Sequence, residues 1–302
     1  RDMGIEVRFA KSDKVEDMET LIDNRTKAIF LENLGNPAFN IPDYEPIVEM
    51  ARRKGVCVMV DNTFGMGGYL FRPFEWGANV SIHSATKWIC GHGTALGGVV
   101  VDGGNFDWTP EKYPLLAAPS ESYHGLIYKE VFGNAAFAGR VRVDGLRNIG
   151  PAASPFNSFL MLQGLETLSL RAERCCANAL AIAEFLEGHP AVESVNYVGL
   201  KSNPYHDLAC KYLRNGFGGV LTFRVKGGFK AAAELVTKLE LILHVGSVGD
   251  AKSLIVHPAS TTHSQLSPEE QVAAGVYPNM LRLSVGIENV DDLIADLAAA
   301  LA

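Results

Sequence analysis

The first half of the chain alternates short apolar runs with amphipathic stretches. Ala28-Ile29-Phe30-Leu31 reads as a buried-type strand. Over residues 43–54 apolar positions recur at helical spacing (Ile47, Val48, Met50, Ala51), and Gly55 supplies a stop. Val56-Cys57-Val58-Met59-Val60 is continuously apolar at strand length, which suits a parallel strand covered on both faces. Val80-Ser81-Ile82-His83 and Gly98-Val99-Val100-Val101 follow as two more strands. Strand, helix, strand in this order predicts an α/β unit with a mostly parallel sheet flanked by helices.

The rhythm then changes. Residues 111–150 are rich in Gly, Pro and aromatics with weak periodicity, the pattern of long loops and short helices that cover a site. A long helical pattern starts at Pro155, runs through Leu160, Leu162, Leu165, Leu168 and Leu170 to Leu186, and ends at Gly188 and Pro190. Beyond it, strands are expected at 192–197, 220–223 and 280–284, and helices at 206–213, 230–239, 267–274 and 291–301. This predicts a large domain over residues 1–155 and a smaller C-terminal α+β domain over 156–302. The opening run Arg1-Asp2-Met3-Gly4-Ile5-Glu6-Val7-Arg8-Phe9 reads as a helix end, a glycine stop and a strand, as in the middle of an α/β domain. An upstream portion is therefore expected.

Composition narrows the function classes. A chain of 302 residues fits two domains at roughly 100–200 residues each. A net charge of −7, without a basic stripe interleaved with aromatics, argues against nucleic acid. No run reaches 18 apolar residues, so no membrane span is expected. Five cysteines at irregular spacing, without C-x-x-C, argue against a disulfide framework or a metal knuckle. Free thiols fit a reducing compartment, so the expected location is cytoplasmic. No G-x-x-x-x-G-K-[ST], H-E-x-x-H or G-x-S-x-G occurs.

Three features follow buried strands, where open α/β sheets bind ligands. Asp61 stands just after Val56–Val60 and can hold a protonated ring nitrogen; it can equally cap a turn. In Ser84-Ala85-Thr86-Lys87 two hydroxyls can donate to a phosphate, and the adjacent lysine can reach a carbonyl carbon of the same ligand. The alternative is a solvated surface lysine, which the glycines at 91, 93, 97 and 98 weaken by allowing close backbone approach. Arg282 interrupts the apolar strand Met280-Leu281-Arg282-Leu283-Ser284, and wants either a substrate carboxylate or an internal ion pair.

Together, Asp61-Asn62-Thr63-Phe64, Ser84-Ala85-Thr86-Lys87, Gly91-His92-Gly93-Thr94 and Arg282-Leu283-Ser284-Val285-Gly286 resemble the Cys/Met-metabolism family of fold-type I pyridoxal phosphate enzymes. Glu32-Asn33-Leu34-Gly35-Asn36-Pro37 resembles that family's E-x-x-x-N-P segment. The likeness extends along essentially the whole chain. Within the family, Gly103-Gly104-Asn105-Phe106-Asp107-Trp108, Tyr123-His124-Gly125, Leu165-Glu166-Thr167-Leu168-Ser169-Leu170-Arg171 and Asn215-Gly216-Phe217-Gly218-Gly219-Val220 are similar to the O-acetylhomoserine sulfhydrylases. Cys90 departs from them, standing where they usually carry glycine.

The resemblance implies a pyridoxal 5'-phosphate cofactor held covalently by Lys87 as a Schiff base. It implies Asp61 on the pyridine nitrogen, Asn36 on the ring's phenolic oxygen, and Ser84 and Thr86 on the phosphate. Arg282 would clamp the substrate α-carboxylate, and Ser247 would line the carboxylate and lysine side of the site. The implied reaction is γ-replacement on O-acetyl-L-homoserine with sulfide, giving L-homocysteine and acetate, by a homodimer or homotetramer with sites at the dimer interface. Sister activities on the same scaffold are methionine γ-lyase and cystathionine γ-synthase. The family also keeps a glycine-bearing phosphate loop, a ring-stacking Tyr and an inter-subunit Tyr and Arg upstream of the point matching Arg1. The alternative from another class is a truncated, non-catalytic subunit that only assembles with partners.

Overall fold

A computed structural model describes residues 4–302. The helix end expected at residues 1–3 lies outside them. Two sheets organise the chain. The first has strand order β1-β2-β3-β4, with β1 (Ala28–Glu32), β2 (Cys57–Asp61), β3 (Val80–Ser84) and β4 (Gly98–Asp102). The pairs β1–β2 and β2–β3 are parallel, and β4 returns antiparallel. Parallel pairing needs a crossover, which the Tyr44–Lys54 helix supplies between β1 and β2. That helix buries Tyr44, Ile47, Val48, Met50 and Ala51, and Gly55 ends it in the left-handed conformation at φ 59°.

The second sheet has order β5-β6-β9-β8-β7, built from β5 (Val192–Asn196), β6 (Val220–Val225), β7 (Leu243–His244), β8 (Leu254–Val256) and β9 (Met280–Ser284). Only β7–β8 is parallel. β9 is buried along its whole length, between β6 and β8. Helices Leu168–Glu187, Gly228–Lys238 and Val290–Leu301 cover this sheet through Ile182, Leu186, Leu235, Leu293 and Leu297.

Three expectations need correcting. The long helix from Pro155 is two helices, Pro155–Glu166 and Leu168–Glu187, broken at Thr167. The alternating Ile5, Val7 and Phe9 form no strand; all three are exposed, with no neighbouring strand to pair with. The short strands β7 and β8 were not anticipated. The hydrophobic core also crosses residue 155: Ala172, Cys176, Val198, Ala209 and Tyr212 pack in one cluster with Ile47, Val58, Val60 and Trp88.

Candidate active site

The carboxyl ends of β2 and β3 lie side by side, with Asp61 in register with Ile82. Asp61 is half-buried, and its Oδ1 accepts the Thr63 backbone N–H at 2.9 Å. Thr63 Oγ1 in turn accepts the Ser84 backbone N–H at 2.8 Å. One short chain of bonds thus joins the turn after β2 to the turn after β3.

The second turn carries the lysine. Lys87 N donates to Ser84 O, Cys90 N to Ala85 O, and Gly91 N to Lys87 O, so residues 84–91 wind as a brief helical turn. Ser84 is half-buried at its start. The Thr86 hydroxyl is already engaged: it donates to Gly97 O at 3.3 Å and accepts Gly97 N–H at 3.1 Å. His83 and Ser81 lie on the other face of β3 from Ser84, by strand alternation. They pair with each other at 3.0 Å, leaving buried His83 Nδ1 without a partner.

Arg282 of β9, with Ser247 from the loop between β7 and β8 and Asn36 from the loop after β1, closes the site. Lys87 Nζ donates to Ser247 Oγ at 3.0 Å. Arg282, in the middle of β9, reaches the same residue from the other side: its Nη2 donates to Ser247 O at 3.5 Å, and its Nη1 to Asn36 Oδ1 at 3.3 Å. Asn36 is exposed and anchored through its backbone N–H to Glu32 Oε2 at 2.9 Å. Lys87, Ser247, Arg282 and Asn36 therefore meet around one point, although they are far apart in the chain.

Two cations converge there without an anion. Neither Lys87 nor Arg282 takes part in any ion pair among the described residues. The internal salt bridge weighed for Arg282 is therefore not formed. Burial, and then the neighbouring Arg282 guanidinium, hold the Lys87 amine below its ordinary value. Burial likewise depresses Arg282. A buried guanidinium bonded only to neutral oxygens is expensive, and an incoming carboxylate would repay it. An amine of lowered basicity beside a hydroxyl, with a carboxylate at the next strand end, suits an aldehyde ligand that carries a ring nitrogen and a phosphate. The residues present fit pyridoxal phosphate. No cluster of His, Cys, Asp or Glu suited to a metal ion occurs among the described residues.

Sequence reasoning missed two contributors. Thr63 stood in a quoted motif with no role assigned, yet it links the two turns. Arg171 also stood in a quoted motif; it is buried and donates to Trp88 O, beside Lys87, at 3.0 Å. A polar residue inside an apolar helical stripe was the available signal for the second.

Residues 1–302 match the family described as Cys/Met metabolism PLP-dependent enzyme. Over 301 residues the chain is 54% identical to O-acetyl-L-homoserine sulfhydrylase 1 of Thermus thermophilus, covering 99% of this chain and 72% of that protein. It is 51% identical over 305 residues to the homocysteine/cysteine synthase of Saccharomyces cerevisiae, covering 97% and 69%. Among solved structures, a putative O-acetylhomoserine (thiol)-lyase from Campylobacter jejuni superposes with a TM-score of 0.91 at 42% identity, over 96% of this chain and 69% of that one. That structure contains N'-pyridoxyl-lysine-5'-monophosphate. With the α/β fold, the paired strand ends and the lysine site all in place, the chain belongs to the Cys/Met metabolism family of PLP-dependent enzymes.

Proposed function

We propose that this protein is a pyridoxal-phosphate-dependent transferase that replaces the γ-acetoxy group of O-acetyl-L-homoserine with sulfide, giving L-homocysteine and acetate. One observation carries the reading: Lys87 and Arg282 converge on Ser247 with no carboxylate to neutralise them. Such a site wants an anionic amino-acid substrate placed within reach of an amine of lowered basicity. The sulfhydrylase names of the similar proteins support the choice of donor and acceptor.

The residues divide the work as follows. Lys87 would hold the cofactor covalently, Asp61 its ring nitrogen, Asn36 its phenolic oxygen, and Ser84 its phosphate. Thr86 would join Ser84 by releasing Gly97 O. When bound, pyridoxal phosphate supplies an electron sink for charge developing on the substrate carbons. Arg282 fixes the substrate α-carboxylate in a two-pronged grip, which sets the α-carbon beside Lys87. Freed by the incoming substrate amine, the Lys87 amine, its basicity lowered by burial and by Arg282, would take the proton from that carbon. Ser247 holds the amine in place between proton transfers. After passing its first proton on, the Lys87 amine would take a second from the β-carbon, so that the Cγ–O bond breaks and acetate leaves; hydrosulfide would then form the Cγ–S bond, and return of one proton each to the β- and α-carbons gives L-homocysteine.

Assembly of like copies into dimers or tetramers belongs to the same reading. Phe156, Phe159, Leu162 and Leu165 recur every three residues along the Pro155–Glu166 helix and are 67%, 52%, 63% and 46% exposed. An apolar ridge of that kind favours burial against a partner. No helix among the described residues is long and apolar enough to cross a membrane.

The test is a side-by-side assay of the cofactor-loaded protein with O-acetyl-L-homoserine. Sulfide-dependent homocysteine and acetate in equal amounts are expected, and Lys87→Ala should abolish them. Formation of cystathionine with cysteine as acceptor, or of α-ketobutyrate without any acceptor, at a higher kcat/KM would replace this reading with a sister activity.

A further inference from the structure

We infer that Arg171 is a positioning residue for Lys87, and that the helix bearing it sets the spacing between Lys87 and Arg282. The inference rests on the roles proposed above for those two residues. Arg171 lies on the Leu168–Glu187 helix, in the stripe Leu168, Ala172, Cys175, Ala179, Ile182, Leu186 that faces the core. It is 5% exposed and forms no ion pair among the described residues. All of its bonds go to neutral oxygens: Nε to Thr167 Oγ1 at 3.2 Å, Nη1 to Trp88 O at 3.0 Å, and Nη2 to Gly164 O at 2.6 Å. A buried cation without an anionic partner weakens a fold, so its presence calls for a reason beyond packing.

The reason lies in the turn at 84–91. That turn is too short to satisfy its own last carbonyls. Lys87 O receives Gly91 N, but the carbonyls that follow have no helix to bond. Arg171 takes Trp88 O, and Ala251 N takes Gly91 O at 2.8 Å. The packing leaves no slack. A Cβ at Gly91 would lie 2.1 Å from Arg171 Nη1, and one at Gly164 would lie 2.3 Å from both Ile89 O and Cys90 O. A positive group at the carboxyl end of a helical turn is also stabilised by the turn's dipole, whose negative end lies there.

The same helix reaches the other cation. Asn178 stands seven residues after Arg171, two turns along the same face. Its Nδ2 donates to Gly286 O at 3.1 Å and to Glu288 O at 2.9 Å, holding the chain just past the end of β9. Arg282 lies on that strand, four residues before Gly286. One helix thus grips the lysine turn with Arg171 and the exit of the arginine strand with Asn178.

The two grips separate in kinetics. Arg171→Met should free the Lys87 turn and lower kcat at least tenfold, with KM for the amino-acid substrate within twofold. Asn178→Leu should do the opposite, raising KM at least fivefold with kcat held within about twofold. A role in folding alone would lower the active fraction in both variants and move neither KM. Amide hydrogen exchange on the cofactor-free protein gives a readout independent of turnover. In Arg171→Met the Cys90 and Gly91 amides should exchange at least tenfold faster, while those of β1–β3 stay unchanged. Arg171→Lys, which keeps the charge but not the fork, should show intermediate exchange, and serves if the Met variant does not fold. Unchanged exchange at Cys90 and Gly91, or equal changes in KM for the two sites, would overturn the inference. Accelerated local exchange in a protein that shows no sulfide-dependent turnover even as wild type would leave Arg171's placement standing and refute the functional reading instead.

Discussion

Replacing Arg282 tests the site where its electrostatics are most exposed to measurement. Arg282 is 9% exposed; its guanidinium donates only to Asn36 Oδ1 and Ser247 O and has no carboxylate partner among the described residues. If it receives the substrate α-carboxylate, Arg282→Ala leaves that carboxylate desolvated and unpaired. Breaking a buried ion pair by removing one partner costs about 3–5 kcal/mol. At 1.4 kcal/mol per factor of ten, kcat/KM should fall by about a hundredfold to a few thousandfold. Most of the loss should appear in KM, because the carboxylate is bound before and during reaction alike. A second effect follows from the neighbouring lysine. Burial is the larger cause of the low Lys87 basicity and Arg282 the smaller. Removing Arg282 therefore raises the Lys87 pKa, and the neutral amine needed for proton abstraction appears only at higher pH. The acid limb of the kcat profile should shift upward, and Arg282→Lys, which keeps the charge, should shift it less. Steady-state kinetics between about pH 6 and 10 would show both. A KM within threefold of wild type for Arg282→Ala would refute the carboxylate assignment. A raised KM with an unmoved acid limb would refute the coupling to Lys87.

Asp61→Asn removes the negative charge at the end of β2 while keeping its shape; kcat should fall at least about a hundredfold with the cofactor still retained, measured by turnover and by the cofactor's absorbance. Thr63→Val deprives the Ser84 N–H of its 2.8 Å acceptor, at about 1–3 kcal/mol, so cofactor affinity and the melting temperature should both drop, by titration and calorimetry. Thiol reactivity should follow exposure first and, among the four buried thiols, acidity. Cys210 is the exposed thiol and should label first with a disulfide reagent. Cys90 should come second: burial raises it, but the Thr94 hydroxyl and the amides of residues 92, 94 and 95 bring it below the ordinary thiol value. Burial pushes Cys57 and Cys175 up to about 12 and Cys176 to about 11, so these three should resist until the protein unfolds.

What could be read from the sequence divides along physical lines. β2 announces itself because a strand buried on both faces is continuously apolar, while β3 shows only the alternation of Val80 and Ile82 with Ser81 and His83; the residues at and after these strand ends are few enough to single out Asp61, Ser84 and Lys87. Arg282 shows for the converse reason, as one cation in an apolar strand. β8 did not show, since three residues carry no period. The break at Thr167 was hidden because both flanking helices keep apolar residues at compatible spacing. Ile5, Val7 and Phe9 alternate correctly for a strand, but alternation expresses a preference that only a paired neighbour can satisfy.

The partners that make Lys87 useful were harder to read, and the reason is their separation. Ser247 is 160 residues from Lys87, and Asn36 is 246 residues from Arg282. Ser247 follows a two-residue strand with no local pattern, and Asn36, though inside the E-x-x-x-N-P segment, is exposed in a loop. Their meaning arises only when the two sheets are brought together, and the core that joins them is itself shared between the halves of the chain. Depression of the Lys87 amine is thus a property of the junction. The strand-end turn supplies the lysine and the second sheet supplies the neighbouring cation, so the amine's lowered basicity draws on both halves of the chain.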